Sequence, residues 1–362
     1  MSTNISLTAP ARICLFGDHQ DYLGLPVIAC AIDKFITLTA TKKSSQTLKL
    51  ILPDINSERS IDISETFENL EKGDHFASAI RVIKRHGAII DSGYEIIISG
   101  NIPINAGVSS SSAVLVAWIH FLLKAFGPDA ETTPEFISQL AYEAEVLEHN
   151  SPGGKMDQYT IGIGNIVFIE TGDIFNYEVI GESLDGMVLG ESGIEKDTIG
   201  VLGSSKSNAI KAIEIVQKHD ANFVLENASI KDFEKHKKLL PEELIPFFYA
   251  AIKNHIITKK AFIEIKKSTL NYLVIGDLMN QHHTVLRDDL KITVPKIDAM
   301  INAAIKAGAY GAKIIGSGGG GCIVALCPTH LQNEISLAIK NAGAKDAYPV
   351  LVAKGTQIII DA

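Results

Sequence analysis

Apolar and polar positions follow two different rhythms along this chain. Over residues 4–52 the runs ARICLFG, LPVIACAID and FITLTAT, rich in β-branched and small apolar residues, predict strands, and the polar stretch DHQDYLG interrupts them. Residues 74–88 carry helical spacing, and GYEIIISGNIPI predicts a strand that turns at Gly100-Asn101. AVLVAWIHFLLKAFG is apolar nearly all round and is stopped by Gly127-Pro128, the pattern of a buried helix. Thr133-Pro134 opens a further helix to about His149, the threonine suited to cap it and the proline to its first turn. NSPGGKMDQYTIG then predicts a loop re-entering a helix or turn, and NIVFIET and NYEVI predict strands. From about residue 195 a second unit is expected: a strand TIGVLG, a long, mostly helical stretch over 206–308, the segment AKIIGSGGGGCIVALC, a helix over 330–342 and a final strand TQIIIDA.

Length and composition turn these elements into a fold class. A chain of 362 residues exceeds one ordinary core, and 46% hydrophobic content can fill two. The expectation is an α+β protein of two α/β domains, residues 1–190 and 195–362, with the active site between them. The net charge of −9, with basic residues scattered, argues against nucleic acid and for a small-molecule substrate. Cys14, Cys30, Cys322 and Cys327 sit in apolar, strand-like contexts without metal-ligand spacing, so buried reduced thiols and a cytoplasmic setting are expected. The N-terminus lacks a basic region followed by a long apolar stretch, and no apolar run reaches about 18 residues, so neither export nor a membrane span is expected. Oligomeric state stays open between monomer and weak dimer.

Three short stretches carry chemistry. NIPINAGVSSSSA places a small-residue turn and four serines before a helix, where unpaired backbone N–H groups and the positive end of the helix dipole attract a phosphate. One cap needs one serine; further hydroxyls offer donors to phosphate oxygens and an oxygen ligand for Mg²⁺. Residues Gly316 to Gly321 fit the dinucleotide pattern G-x-G-x-x-G, yet a strand-like CIVALC follows where that fingerprint must open a helix, so the glycines mark a hairpin or a close backbone approach. No P-loop pattern occurs. In GGKMDQ, Asp157 follows a glycine bend, with Lys155 two residues before it and Glu145 twelve before, a candidate base beside a candidate metal ligand.

With PARICLFGDHQDYLG, IPINAGVSSSSAVL and GAKIIGSGGGGCIVAL present in that order, the chain resembles the GHMP kinase superfamily, and GGKMDQ and LMNQHHTVLRDDLKITVPKID are similar to galactokinases within it. The resemblance spans nearly the whole chain and implies a ribosomal-S5-like N-terminal domain, a C-terminal domain of helices on an antiparallel sheet, and phosphoryl transfer from ATP with Mg²⁺ to the anomeric hydroxyl of a sugar. It implies Asp157 as the base and Arg12 as its partner, with base catalysis contributing roughly 10²–10⁴-fold and positioning and charge the remainder. Ser111 and Glu145 match its metal ligands, and Gly107, Ser109, Ser110 and Ser111 its phosphate turn. Gly318 and Gly319 belong to the third motif, which closes over the phosphates. Asp18, His19 and Asp21 match its sugar clamp.

Three positions depart from that pattern. Asp18 stands where the family has Glu; Lys155 replaces an apolar residue and Gly153 a cysteine; and Asn208 takes the place of a sugar-contacting tyrosine. Lys155 either pairs with a substrate carboxylate, as a uronic acid would offer, or perturbs Asp157 or meets solvent. Galactose is the first-choice acceptor, with galacturonate, glucuronate or arabinose as alternatives, and a mevalonate-kinase-like enzyme or a non-catalytic sugar sensor behind them. His282-His283 and Arg287-Asp288-Asp289 are assigned a structural role.

Overall fold

A computed structural model describes residues 4–128, 132–151, 153–172, 174–195 and 198–359. In chain order it has β1 (Asn4–Phe16), β2 (Val27–Lys43), β3 (Thr47–Leu52), β4 (Ser57–Asp62), α1 (His75–Arg85), β5 (Gly93–Gly100), α2 (Ser110–Phe126), α3 (Pro134–Tyr142) and α4 (Met156–Ile163). There follow β6 (Ile166–Glu170), β7 (Asn176–Gly181), β8 (Met187–Glu191), α5 (Thr198–His219), α6 (Ile230–His236), α7 (Ile245–Ile265), α8 (Tyr272–Thr284) and α9 (Pro295–Lys306). The chain closes with β9 (Gly311–Ile314), β10 (Cys322–Leu326), α10 (Gln332–Asn341), β11 (Asp346–Val350) and β12 (Gln357–Ile359).

The first sheet runs β12-β1-β2-β5-β3-β4, with β6 pairing β2 and β7 beyond its end. Its pairings are antiparallel except β3 with β5, which makes the sheet mixed. LPVIACAID and FITLTAT form one strand instead of two, because the register shift between Pro10 and Ala11 lets β2 pass the polar Asp33-Lys34 without breaking. Against this sheet lies α2, whose Trp118, Phe121 and Leu122 are fully buried, as its all-round apolar sequence requires.

The second sheet, β11-β8-β10-β9, is antiparallel throughout. Ile297 and Met300 of α9 and Ile335 and Ile339 of α10 bury their side chains with Val188, Ile323 and Ala325 of that sheet. A third cluster gathers α5, α6 and α7 around Phe248 and Val216.

Two expectations need correction. TIGVLG forms the first turns of α5 and not a strand; a short apolar run with glycines fits either period, and the 22-residue helix it opens decides the matter. The division at 190 to 195 also fails as a clean cut: β8 already belongs to the second sheet, and β12 returns to pair with β1 in the first. Strand pairing recruits edges by geometry, and sequence order does not record it.

Candidate active site

The C-terminal half of β1 is buried between sheet and helices, and it delivers Arg12 to the phosphate turn. Arg12, only 4% exposed, bonds Asp157 Oδ1 through Nε at 2.7 Å and the Gly107 carbonyl through a terminal nitrogen at 2.7 Å. Burial opposes its charge, but the Asp157 carboxylate outweighs that and holds the guanidinium above its ordinary pKa. Asp157 sits in the first turn of α4, where the helix dipole favours a carboxylate, and its second oxygen accepts a hydrogen bond from Ser109 Oγ. Ser109 itself adopts a left-handed conformation (φ 60°), as does Gly107 (φ 85°), and this bend aims the start of α2 at the same space.

Beside them lies a cavity of about 430 Å³. Asp21 enters it from the loop after β1. Its Oδ1 accepts the Tyr22 N–H at 2.9 Å, while its Oδ2 lies 2.3 Å from where a Cβ on Gly154 would stand, so a side chain there would push the Asp21 carboxylate aside. Burial, followed by the neighbouring Asp157 charge, pushes the Asp21 carboxyl up to about 6. Glu145 lies in a π-helical turn over Glu143–Leu147 that continues α3, a feature that re-aims a side chain from an otherwise regular helix. Its oxygens accept from Ser112 Oγ at 2.9 Å and Gln158 Nε2 at 2.6 Å.

The glycine loop between β9 and β10 closes the cavity from the second sheet. Gly316 packs so close to Gly107 that an added Cβ would sit 3.1 Å from the Gly107 carbonyl. Gly316 and Ser317 line the cavity. Gly318 and Gly319 do not: the Gly319 N–H donates to the Ile292 carbonyl at 2.8 Å, and a Cβ on Gly318 would strike Ile292. They brace the loop against Ile292.

Other expected residues are placed differently as well. Asp18 faces the cavity, but both oxygens are engaged, Oδ2 by Lys313 Nζ at 2.6 Å and Oδ1 by the Gly316 N–H at 2.9 Å. Burial opposes that carboxylate, yet Lys313 and the further donors hold its pKa below the usual range. His19 (φ 63°) contacts the Ser317 carbonyl through Nε2 at 3.1 Å. The clamp motif therefore ties β1 to the glycine loop through Asp18 and His19, while Asp21 lines the cavity beside Asp157, which Arg12 pairs. Lys155 is outside the cavity lining, its ammonium 4.2 Å from the Phe175 ring centroid, 5.2 Å from Tyr142 and 5.9 Å from Tyr159. Burial pushes its pKa down. Asn208 is half-buried on α5 and is likewise absent from the lining. Ser110 and Ser111 line the cavity at the start of α2.

Sequence reasoning passed over Ser112, Gln158, His75, Ser317 and Lys313. Gln158 follows the candidate base directly and Lys313 opens the third motif, so adjacency alone offered a signal. His75 stood in a segment read only for helical spacing. His282 is fully buried against Phe16, and burial, with Lys313 next, pushes it down to about 3; Arg287 pairs with Asp288. Neither lines the cavity.

Three family profiles match the chain: a galactokinase galactose-binding signature over residues 2–42, the GHMP kinases N terminal domain over 74–165 and the GHMP kinases C terminal domain over 265–345. The chain belongs to the GHMP kinase family. As a GHMP kinase it is a phosphotransferase with ATP as donor and a hydroxyl group as acceptor. Its relatives divide between acceptors. The mevalonate kinase of Thermococcus sibiricus is 27% identical over 97% of both chains. The galactokinase of Fusobacterium nucleatum is 28% identical over 93% of this chain and 88% of its own. The crystal structure of Lactococcus lactis galactokinase complexed with galactose superposes with a TM-score of 0.85 at 23% identity, over 98% of this chain and 95% of that one. This GHMP kinase shares that fold, and among its described residues no helix is long and apolar enough to cross a membrane.

Proposed function

We propose that the protein is a sugar 1-kinase acting on the anomeric hydroxyl of a neutral monosaccharide, with galactose the first choice. One observation carries this reading: the acceptor end of the cavity is acidic. Asp21 and Asp157 face it, and among the described residues no lysine lines it and its one arginine, Arg12, is already bonded to Asp157 and Gly107. A mevalonate or uronate carboxylate would meet like charge there without a cation to receive it. Sugar hydroxyls, by contrast, donate to carboxylates. The galactose-binding signature over residues 2–42 supports the same choice.

Asp157 takes the proton of the attacking hydroxyl in this reading, and Arg12, bonded to it, orients it. The first-turn amides of α2, with Ser110, Ser111 and the Gly107 bend, suit the donor's phosphates. A second cavity of about 510 Å³, lined by Leu52, Ile55, Phe76 and Leu115, meets the first at Ser111 and His75 and fits the nucleoside. The oxygen donors Ser111 and Glu145 fit Mg²⁺, a hard cation that takes one or two protein oxygens beside nucleotide phosphate. No group of three or more His, Cys, Asp or Glu competes for a metal among the described residues. When bound, Mg²⁺ screens phosphate charge; the acid–base step belongs to Asp157.

The test is ADP release with Mg²⁺ and ATP over galactose, N-acetylgalactosamine, arabinose, glucuronate, galacturonate and mevalonate. The expected result is turnover of a neutral sugar above the acids. Preferred turnover of mevalonate or a uronate would overturn the reading.

A further inference from the structure

Among the described residues, His75 and Ser111 alone line both cavities. A nucleotide whose base lies in one cavity and whose terminal phosphate reaches the other must pass them, so this inference rests on the nucleotide lying as just proposed. Ser111 opens α2. His75 is the first residue of α1, an 11-residue helix whose N-cap Asp74 accepts the Ala77 N–H.

The ring is held by a partner from far along the chain. His149 meets His75 edge to face, with centroids 4.9 Å apart and planes at 90°. His149 is itself oriented by the Gly73 N–H, which donates to its Nδ1 at 3.2 Å, so the neutral ring of His149 carries its proton on Nε2. On His75 the Nδ1 is shut away from solvent without a partner, as the protonated Nε2 of His149 already is. A proton there would be an unpaired buried donor, which is costly, so the neutral ring keeps its proton on Nε2. Nε2 is then the ring's donor nitrogen, on a side chain that lines both cavities. Burial, with His149 next and Asp74 opposing, lowers the His75 pKa and favours the neutral ring.

We infer that His75 is a nucleotide-binding residue, donating from Nε2 to the polyphosphate where it passes between the two cavities, with His149 as the positioning residue that sets its ring. The fixed imidazole supplies a donor on the wall that faces the amides of α2, so the phosphates are held from both sides. A charge-assisted hydrogen bond of this kind corresponds to about a ten-fold change in affinity or somewhat more.

The experiment is direct calorimetric titration of the full chain with ADP, ATP and adenosine, Mg²⁺ present and acceptor absent, for wild type, His75→Leu, His75→Gln and His149→Leu. His75→Leu should weaken ADP and ATP by about ten-fold and leave adenosine unchanged. His75→Gln, whose amide nitrogen reaches about as far as Nε2, should recover most of the loss, and His149→Leu should lose part of it. Equal weakening of adenosine would mean that the ring shapes the nucleoside cavity, and unchanged ADP affinity that it faces no phosphate; either overturns the inference. A His75→Leu chain that fails to melt cooperatively leaves His75→Gln to decide, since a small loss confined to ADP and ATP is expected there and a loss equal in ADP and adenosine is contrary. Sugar selectivity plays no part in these titrations, so a wrong acceptor assignment shows only in the ADP-release panel.

Discussion

At the residue scale the chemistry rests on carboxylates in unequal surroundings. Asp157 is held by Arg12 and Ser109, whereas Asp21 is buried beside it and pushed up to about 6. Asp157→Asn should fold and bind nucleotide yet lose turnover by about 10²-fold or more, measured as kcat with ADP release. Near-normal activity in that variant would remove Asp157 as the base. For Asp21 the sign is set by its raised value. The ionised form accepts sugar hydroxyls, so the KM for the sugar should rise as pH falls through about 6, and Asp21→Asn should flatten that part of the profile. The same shift makes the ionised carboxyl a cost to the fold, fully present above pH about 6 and relieved as pH drops toward the ordinary carboxylate value near 4. Lys155 illustrates the opposite lesson. A cation two residues before Asp157 in sequence points into an aromatic cluster in space, so Lys155→Met should change neutral and acidic sugars alike. Its expected cost is about 1 kcal/mol in stability by denaturant unfolding, and a selective loss of uronate turnover would contradict this placement.

Secondary-structure elements meet at the site through backbone approaches that tolerate no side chain. The turn before α4 runs so close to the Asp21 carboxylate that Gly154→Ala must displace one or the other. That variant should raise the KM for the acceptor several-fold while the affinity for ADP stays at the wild-type level, since α2 is untouched; an unchanged KM would mean that the turn yields freely. The serines of α2 are divided by helical geometry among three tasks: Ser109 bonds Asp157, Ser112 bonds Glu145, and Ser110 and Ser111 face the cavity. Four hydroxyls in a row announce a phosphate-binding helix start, but a 100° step per residue sends each in a different direction. The π-helical turn that carries Glu145 was not legible, because a one-residue insertion into a helix leaves an apolar pattern nearly unchanged.

Across the whole molecule the two sheets are joined by a buried ion pair. Lys313 is fully buried, and its ammonium bonds both Asp18 Oδ2 and the Cys14 carbonyl, tying the strand after the long helical stretch to the end of β1. Lys313→Met should destabilise by about 3–5 kcal/mol in denaturant unfolding, because it strands a buried carboxylate. Lys313→Met with Asp18→Asn should lose less, and equal losses in both would show that the pair contributes only packing. The lowered pKa of Asp18 makes this contribution present at neutral pH and lost as pH falls below the usual carboxylate range. The sequence by itself determined the β-rich start, the buried helix after the serines, the glycine hairpin between strands, and the kinase family, because periodicity, turn residues and motif order are local properties of a chain. Only the tertiary structure decided that Asp18 is an internal clamp, that Lys155 leaves the cavity, that β8 and β12 change sheets, and that His75 and His149 meet at the neck. Those outcomes depend on groups apart in the chain meeting in space: the Gly73 N–H reaches His149 across 76 residues and Lys313 reaches Asp18 across 295. A linear pattern records which face of an element is apolar, while the partner that satisfies a buried charge or orients a ring is fixed only when the elements pack.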